Sequence, residues 1–228
     1  MPADPSDPKA LLFDLDGTLV DTVGVRVESW FQTFSDAGIP SQRERLGVLM
    51  GADGRWLARR VADESGIALD DHTAQDLDHR AGLRFDELNQ TPRLHPGVRE
   101  LLLAVERSAL PWAIATSSLR GQVAASVAAL ELPASPRIID GSHVVHAKPA
   151  PDLLLLAAER LASPPQVCWY VGDARWDMLA AVAAEMTGIG VASGATDMTA
   201  LRDAGARLTY PAITAFHDLL RQRGLLPD

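Results

Sequence analysis

Two hydrophobic rhythms alternate along the chain. Short apolar runs end in polar residues or glycine, and between them apolar positions recur every three or four residues. Residues 10–13, 112–117, 137–140, 166–173 and 189–192 read as buried strands. Residues 123–130, 152–161, 178–186 and 213–220 read as amphipathic helices, and Val98, Leu101, Leu102 and Val105 mark another after Pro96-Gly97. This alternation predicts an α/β fold: a doubly wound, mostly parallel, Rossmann-like sheet with helices on both faces.

Residues 21–92 break the rhythm, because no strand signal interrupts them. Val23, Val27, Trp30, Phe31 and Phe34 share one helical face, and Gly38 and Pro40 end the run. A second segment, 45–50, is broken by Gly51-Ala52-Asp53-Gly54. A third carries Leu57 and Val61 and stops near Gly66; a fourth is marked by Leu77, Ala81, Phe85 and Leu88. The expected organisation is a discontinuous α/β core, residues 10–20 and 93–228, interrupted by a small all-helical unit, 21–92. A flexible tail, 1–9, precedes both. Two short linkers, near 19–22 and 91–94, would allow the helical unit to hinge.

Composition narrows the function classes. The 228 residues suffice for one large α/β domain, or a core with a satellite. A formal charge of −9 argues against a nucleic-acid partner, yet leaves room for a small phosphate ester held by a metal and a few cations. Cys168 is the only cysteine, so no internal disulfide forms, and its apolar strand marks it as a packed, unreactive thiol. Residues 1–7 have no apolar core of a secretion signal, and no run reaches the ~20 apolar residues of a membrane span. The expectation is a cytoplasmic protein, monomer or homodimer, with no membrane partner. The six histidines read as surface or loop residues, and Trp30, Trp56 and Trp176 as packing groups.

The chemistry concentrates where the strands end. Asp14-Leu15-Asp16-Gly17-Thr18-Leu19 follows the first apolar run, and in open α/β sheets that end receives the ligand. Two carboxylates two residues apart on an extended chain point the same way. One can attack an electrophile while the other exchanges protons with the leaving group. The second strand ends in the hydroxyls Thr116 and Ser117. Lys148-Pro149 precedes a helix, and a later strand ends in Gly172-Asp173, with Asp177 four residues on. Gathered at one sheet edge, ionised carboxylates ~4 Å apart repel by about 4 kcal/mol at an effective dielectric of 20. A hard divalent cation resolves that conflict, and Mg2+ suits a carboxylate site that also receives a phosphate. Lys148 is one of two lysines against 19 arginines, and a compact ammonium suits a crowded anionic pocket.

Carboxylates, hydroxyl, lysine and paired carboxylate in this order resemble the haloacid dehalogenase-like superfamily, most of whose members are phosphohydrolases. All four of its motifs are present, over about residues 10 to 220. The helical insertion after the first motif resembles the cap of the phosphoglycolate phosphatase-like and β-phosphoglucomutase-like branch. The resemblance implies that Asp14 attacks phosphorus and becomes an aspartyl-phosphate, and that Asp16 protonates the leaving alcohol and then deprotonates the hydrolytic water. It implies that Thr116 and Ser117 bind phosphoryl oxygens with Lys148. Asp14, the carbonyl of Asp16 and Asp173 would hold Mg2+, with Asp177 on the metal, on its water, or orienting a neighbour. On residues alone, Thr116 and Asp173 also read as helix caps and Asp177 as a solvated helix acid.

Departures from relatives narrow the field. Dehalogenases lack the second aspartate, which is present here as Asp16, and phosphonoacetaldehyde hydrolases use a cap lysine absent here. β-Phosphoglucomutases carry a histidine where Arg26 stands and a lysine near Leu119. The favoured expectation is a Mg2+-dependent phosphatase of a small phosphorylated metabolite, of phosphoglycolate or sugar phosphate type. The alternatives are a sugar phosphomutase and a non-catalytic phosphate-binding module. Arg26, Arg45, Arg55 or Arg120 could meet an anionic end of the substrate.

Overall fold

A computed structural model describes residues 5–227, so residues 1–4 of the tail expected at 1–9 lie outside the described residues. Residues 5–9 are tied to the core. Arg223 donates to the Pro5 carbonyl at 3.0 Å and to Asp7 at 2.8 Å, and the Lys9 amide donates to the Val167 carbonyl at 2.8 Å.

Six strands, β1 (Ala10–Phe13), β2 (Trp112–Ala115), β3 (Ile138–Ile139), β4 (Cys168–Gly172), β5 (Thr187–Val191) and β6 (Leu208–Tyr210), form one parallel sheet in the order β3-β2-β1-β4-β5-β6. β1 is buried on both faces, which is why its sequence is apolar throughout instead of alternating. Leu11 and Phe13 face one layer, Ala10 and Leu12 the other.

Four helices follow β1 directly: α1 (Val23–Asp36), α2 (Arg43–Leu49), α3 (Gly54–Glu64) and α4 (Asp71–Leu88). The chain leaves the sheet and returns to it along paired segments. Val20 bridges Leu94 in antiparallel fashion, the Asp21 amide donates to the Arg93 carbonyl at 2.8 Å, and the His95 amide to Leu19 at 3.1 Å. The four helices bury an apolar cluster of their own, in which Trp30 stacks on Phe34 at 5.2 Å. Two residues from beyond β4, Ala174 and Trp176, join that cluster, and Trp176 meets Trp56 of α3 edge-on at 4.8 Å.

The remaining helices clothe the sheet. α5 (Val98–Arg107), α6 (Arg120–Ala129) and, at the end of the chain, a helix at Ile213–Gln222 cover the face of Leu11 and Phe13. α7 (Asp152–Arg160) and α8 (Arg175–Ala183) cover the other, where small residues such as Ala113, Ala115 and Cys168 let the helices approach. Burial pushes the Cys168 thiol up to about 11, in keeping with an inert packed group. A short helix, α9 (Met198–Asp203), precedes β6, and the final helix is α10. Neither α9 nor β6 is expected from the sequence. Among the described residues no helix is long and apolar enough to cross a membrane.

Candidate active site

Strand register sets the site. Phe13 pairs with Ile114 on one side and Val171 on the other, so β2 and β4 each run one residue past the end of β1. Their next residues reach the same edge: Asp14 after β1, Thr116 after β2, Asp173 after β4. The Asp14 amide prolongs the ladder to the Val171 carbonyl at 2.8 Å, and the Thr116 amide that to Ile139 at 3.0 Å. Glycine then makes room. Gly17 turns the chain at φ 88°, and a Cβ there would lie 2.5 Å from Oδ2 of Asp173. A side chain at Gly172 would meet Asp177 at 2.4 Å.

A cavity of about 70 Å³ results, lined by Asp14, Asp16, Thr116, Ser117, Lys148 and Asp173 together with Arg26 from α1. Six of the seven residues singled out by the sequence therefore meet in one space. Asp177 lies behind that wall, fully buried, and reaches the cavity through Lys148.

Lys148 organises the floor. Its Nζ, 1% exposed with the rest of the residue, donates to Oδ1 of Asp14 at 2.7 Å, Oδ1 of Asp177 at 2.6 Å and the Tyr170 hydroxyl at 3.2 Å. Burial acts to lower the pKa of this ammonium, but Asp14 and then Asp177 outweigh it, so the group stays charged. The Tyr170 hydroxyl has two acceptors in reach, the Ala115 carbonyl at 3.0 Å and Asp177 at 2.9 Å. The other oxygen of Asp177 accepts from the Ala174 amide at 2.9 Å in the first turn of α8. Asp177 thus accepts from Lys148, from the Ala174 amide and, within reach, from Tyr170.

Asp16 is held from the opposite side. Its Oδ1 accepts from Thr22 at 2.7 Å, and its Oδ2 accepts from Arg26 at 3.0 Å and from the Ser118 hydroxyl. Burial acts to raise the Asp16 carboxyl, but Arg26 and the three hydrogen bonds carry it below its usual range. Arg26 also donates to Ser118 at 2.6 Å and to Gln122 at 3.1 Å, and its guanidinium lies 3.4 Å from the centre of the Phe85 ring. One side chain of α1 therefore spans from α4 to the sheet edge.

The acids fit a hard divalent cation. One oxygen from each of Asp14, Asp173 and Asp177 falls within 4.8 Å of the others, and all three residues are buried. Burial, then the charges of Asp177 and Asp14, push Asp173 far above its ordinary value, and Thr18 offers it only one hydrogen bond, at 2.8 Å. Burial also drives Asp14 up, against the pull of Lys148. One ammonium does not balance this cluster, and a cation with oxygen preference would.

Several groups here escape sequence reading. Tyr170 looks like one more apolar strand residue; the available signal is that a tyrosine in a fully buried strand needs a partner for its hydroxyl. Ser118, Gln122 and Asp78 carry no motif. Of the four arginines considered as anion binders, only Arg26 enters the central cavity. Arg55 lines an outer one, beside Asp53 at 3.3 Å. Arg45 pairs with Glu64 elsewhere on the helical unit, and Arg120 is exposed, 3.6 Å from Asp140.

Comparison with known proteins gives the family and the fold. A probable phosphatase of Dickeya dadantii, IndB, is 34% identical over 192 residues, covering 81% of each chain. Protein CbbY of Rhodobacter capsulatus is 32% identical over 185 residues, 77% of this chain and 82% of that one. A hydrolase from Pseudomonas syringae superposes with a TM-score of 0.89 at 32% identity, covering 93% of this chain and 98% of that one. The family model described as haloacid dehalogenase-like hydrolase matches residues 8–185, the span that carries every one of the clustered acids and Lys148. The chain belongs to the haloacid dehalogenase-like hydrolases.

Proposed function

We propose that this hydrolase is a Mg2+-dependent phosphatase of small phosphorylated metabolites, working through a phosphoryl group carried on Asp14. The observation that carries this reading is the buried contact of Lys148 with Asp14 in a cavity that also presents Asp16 and Thr116. Lys148 fixes Oδ1 of Asp14, and among the described residues no donor engages Oδ2, which leaves that oxygen to attack. As the Oδ2–phosphorus bond forms, the ester P–O bond breaks, and the leaving oxygen takes a proton from Asp16. Asp16 then takes a proton from the water that attacks the aspartyl-phosphate, releasing inorganic phosphate and restoring Asp14. Arg26 favours the ionised form of Asp16, which serves the second step and opposes the first, so Asp16 has to take up a proton from solvent before the ester bond breaks.

Thr116 accepts from the Ser118 amide at 3.2 Å and keeps its own proton to donate to a phosphoryl oxygen. Among the described residues the Ser117 hydroxyl, buried in the same cavity, has no partner, which supports a second donor role. Asp14, Asp173 and the main-chain carbonyl of Asp16 would hold Mg2+, with Asp177 completing the acidic set and orienting Lys148. The ion supplies charge neutralisation for the carboxylates and the transferring phosphoryl group. Helices α1–α4 act as a cap that closes over the strand ends, excludes water and limits the substrate to a small ester.

Phosphorus NMR of the products tests the assignment. With Mg2+, a small phosphate ester should yield stoichiometric inorganic phosphate. Chelation should abolish turnover, and Ca2+ should restore it poorly because its coordination is larger and looser. Full turnover in chelator, with metal content measured as negligible, would overturn the metal assignment. An isomeric ester accumulating without free phosphate would replace hydrolysis by a mutase reaction.

A further inference from the structure

The central cavity opens outward into a second of about 700 Å³, between α3, α4 and the loop at 141–147. Asp78, Gly54, Ser117 and Gln122 line both and mark the boundary between them. Every lysine and arginine on these walls already faces a carboxylate: Lys148 faces Asp14 and Asp177, Arg26 faces Asp16, and Arg55 faces Asp53. Asp78 is the converse, since among the described residues no hydrogen bond or ion pair engages its carboxylate. It lies against bare backbone at the start of α3, where a Cβ on Gly54 would come within 1.9 Å of its Oδ1. Burial, reinforced by Asp53, pushes the Asp78 carboxyl up to about 6. Asp78 is half-buried, and a carboxylate that has lost part of its water without gaining protein donors is stabilised by any ligand that brings them.

We propose that Asp78 selects the leaving group, accepting hydrogen bonds from an uncharged, polyhydroxylated chain or ring and disfavouring esters that carry a second anion. A carboxylate can take two neighbouring hydroxyls at once, one on each oxygen. A carboxylate-bearing ester would instead bring like charge to Asp78 and find every lysine and arginine of the walls already paired, with only the side chains of His72 and His79 left on the outer wall to meet it. The inference rests on the phosphatase reading of the site and specifies its substrate class.

Steady-state kinetics on the full chain with Mg2+ tests it, using glucose 6-phosphate and glucitol 6-phosphate as the hydroxyl-bearing esters, phosphoglycolate as the anionic one, and p-nitrophenyl phosphate as a generic ester. The wild type should favour the hydroxyl-bearing esters, the first or second according to whether ring or chain fits. In Asp78→Asn the ratio of their kcat/KM to that of phosphoglycolate should fall ~10–100-fold, the range expected for a hydrogen bond to a charged group. Gly54→Ala displaces the carboxylate but keeps its charge, so it should weaken the hydroxyl-bearing esters without improving phosphoglycolate. A wild type that prefers phosphoglycolate, or a folded Asp78→Asn variant with an unchanged ratio, would overturn the inference while leaving the phosphatase reading intact. Failure of the wild type on every ester, p-nitrophenyl phosphate included, would remove that reading and the inference with it.

Discussion

Asp14→Asn is expected to leave a folded protein with turnover reduced ~10⁴-fold or more, the scale of loss when a covalent nucleophile is removed. The amide keeps the size of the carboxylate, and its oxygen can still accept from Lys148, which now contacts Oδ1 at 2.7 Å. What disappears is the anionic oxygen that bonds to phosphorus. Folding should not suffer, because the substitution removes one negative charge from a buried group of three acids. A urea transition at or above the wild-type midpoint, alongside loss of phosphate release, would separate chemistry from stability. Near-normal release from the folded variant would refute the assignment.

Lys148→Met should damage both properties. Lys148 is the only cation in contact with Asp14 and Asp177 among the described residues, and neither acid is more than 3% exposed. Removing one partner of a buried ion pair leaves uncompensated charge and costs about 3–5 kcal/mol. Loss of a preorganised cation at the reacting group adds a fall in turnover of ~10²–10³-fold. The two effects should part in Lys148→Met/Asp177→Asn, which discards the stranded charge: stability should recover in part and activity should not. On the proposed assignment Mg2+ binds the folded acids, so the deficit in urea unfolding should be larger in chelator than at saturating metal. A single Lys148→Met variant with an unchanged midpoint in chelator would show that the acids are not sharing that ammonium's charge.

The strand-end residues of the site were legible because backbone geometry alone brings them together. Asp14, Thr116 and Asp173 each follow an uninterrupted apolar run, and parallel strands with matched register must deliver their carboxyl ends to one edge. The four helices between β1 and α5 were equally readable from their periodicity and glycine breaks. β6 was not, since its three residues are all partly exposed and give no apolar run. α9 spans only six residues with one buried side chain, too short for a periodic signal. The groups missed at the site share a different cause. Asp78 sits on a helix whose orientation toward the sheet is set by the packing of Leu77 with Trp30 and Phe34, not by any local pattern. Tyr170 was hidden by its own context, a polar hydroxyl carried on a strand that otherwise reads as core.

The central claim, that the phosphoryl group passes through Asp14, is tested most directly by trapping it. Asp16→Asn should still be phosphorylated by p-nitrophenyl phosphate, whose leaving group needs no proton, but should lack the base that activates water for the second step. Rapid acid quench of this variant with phosphorus-32-labelled ester and Mg2+ should leave label on the chain, recovered in the peptide that contains Asp14 and absent from Asp14→Asn/Asp16→Asn. Phosphate release without label on the chain at any quench time, persisting in the double variant, would contradict the account.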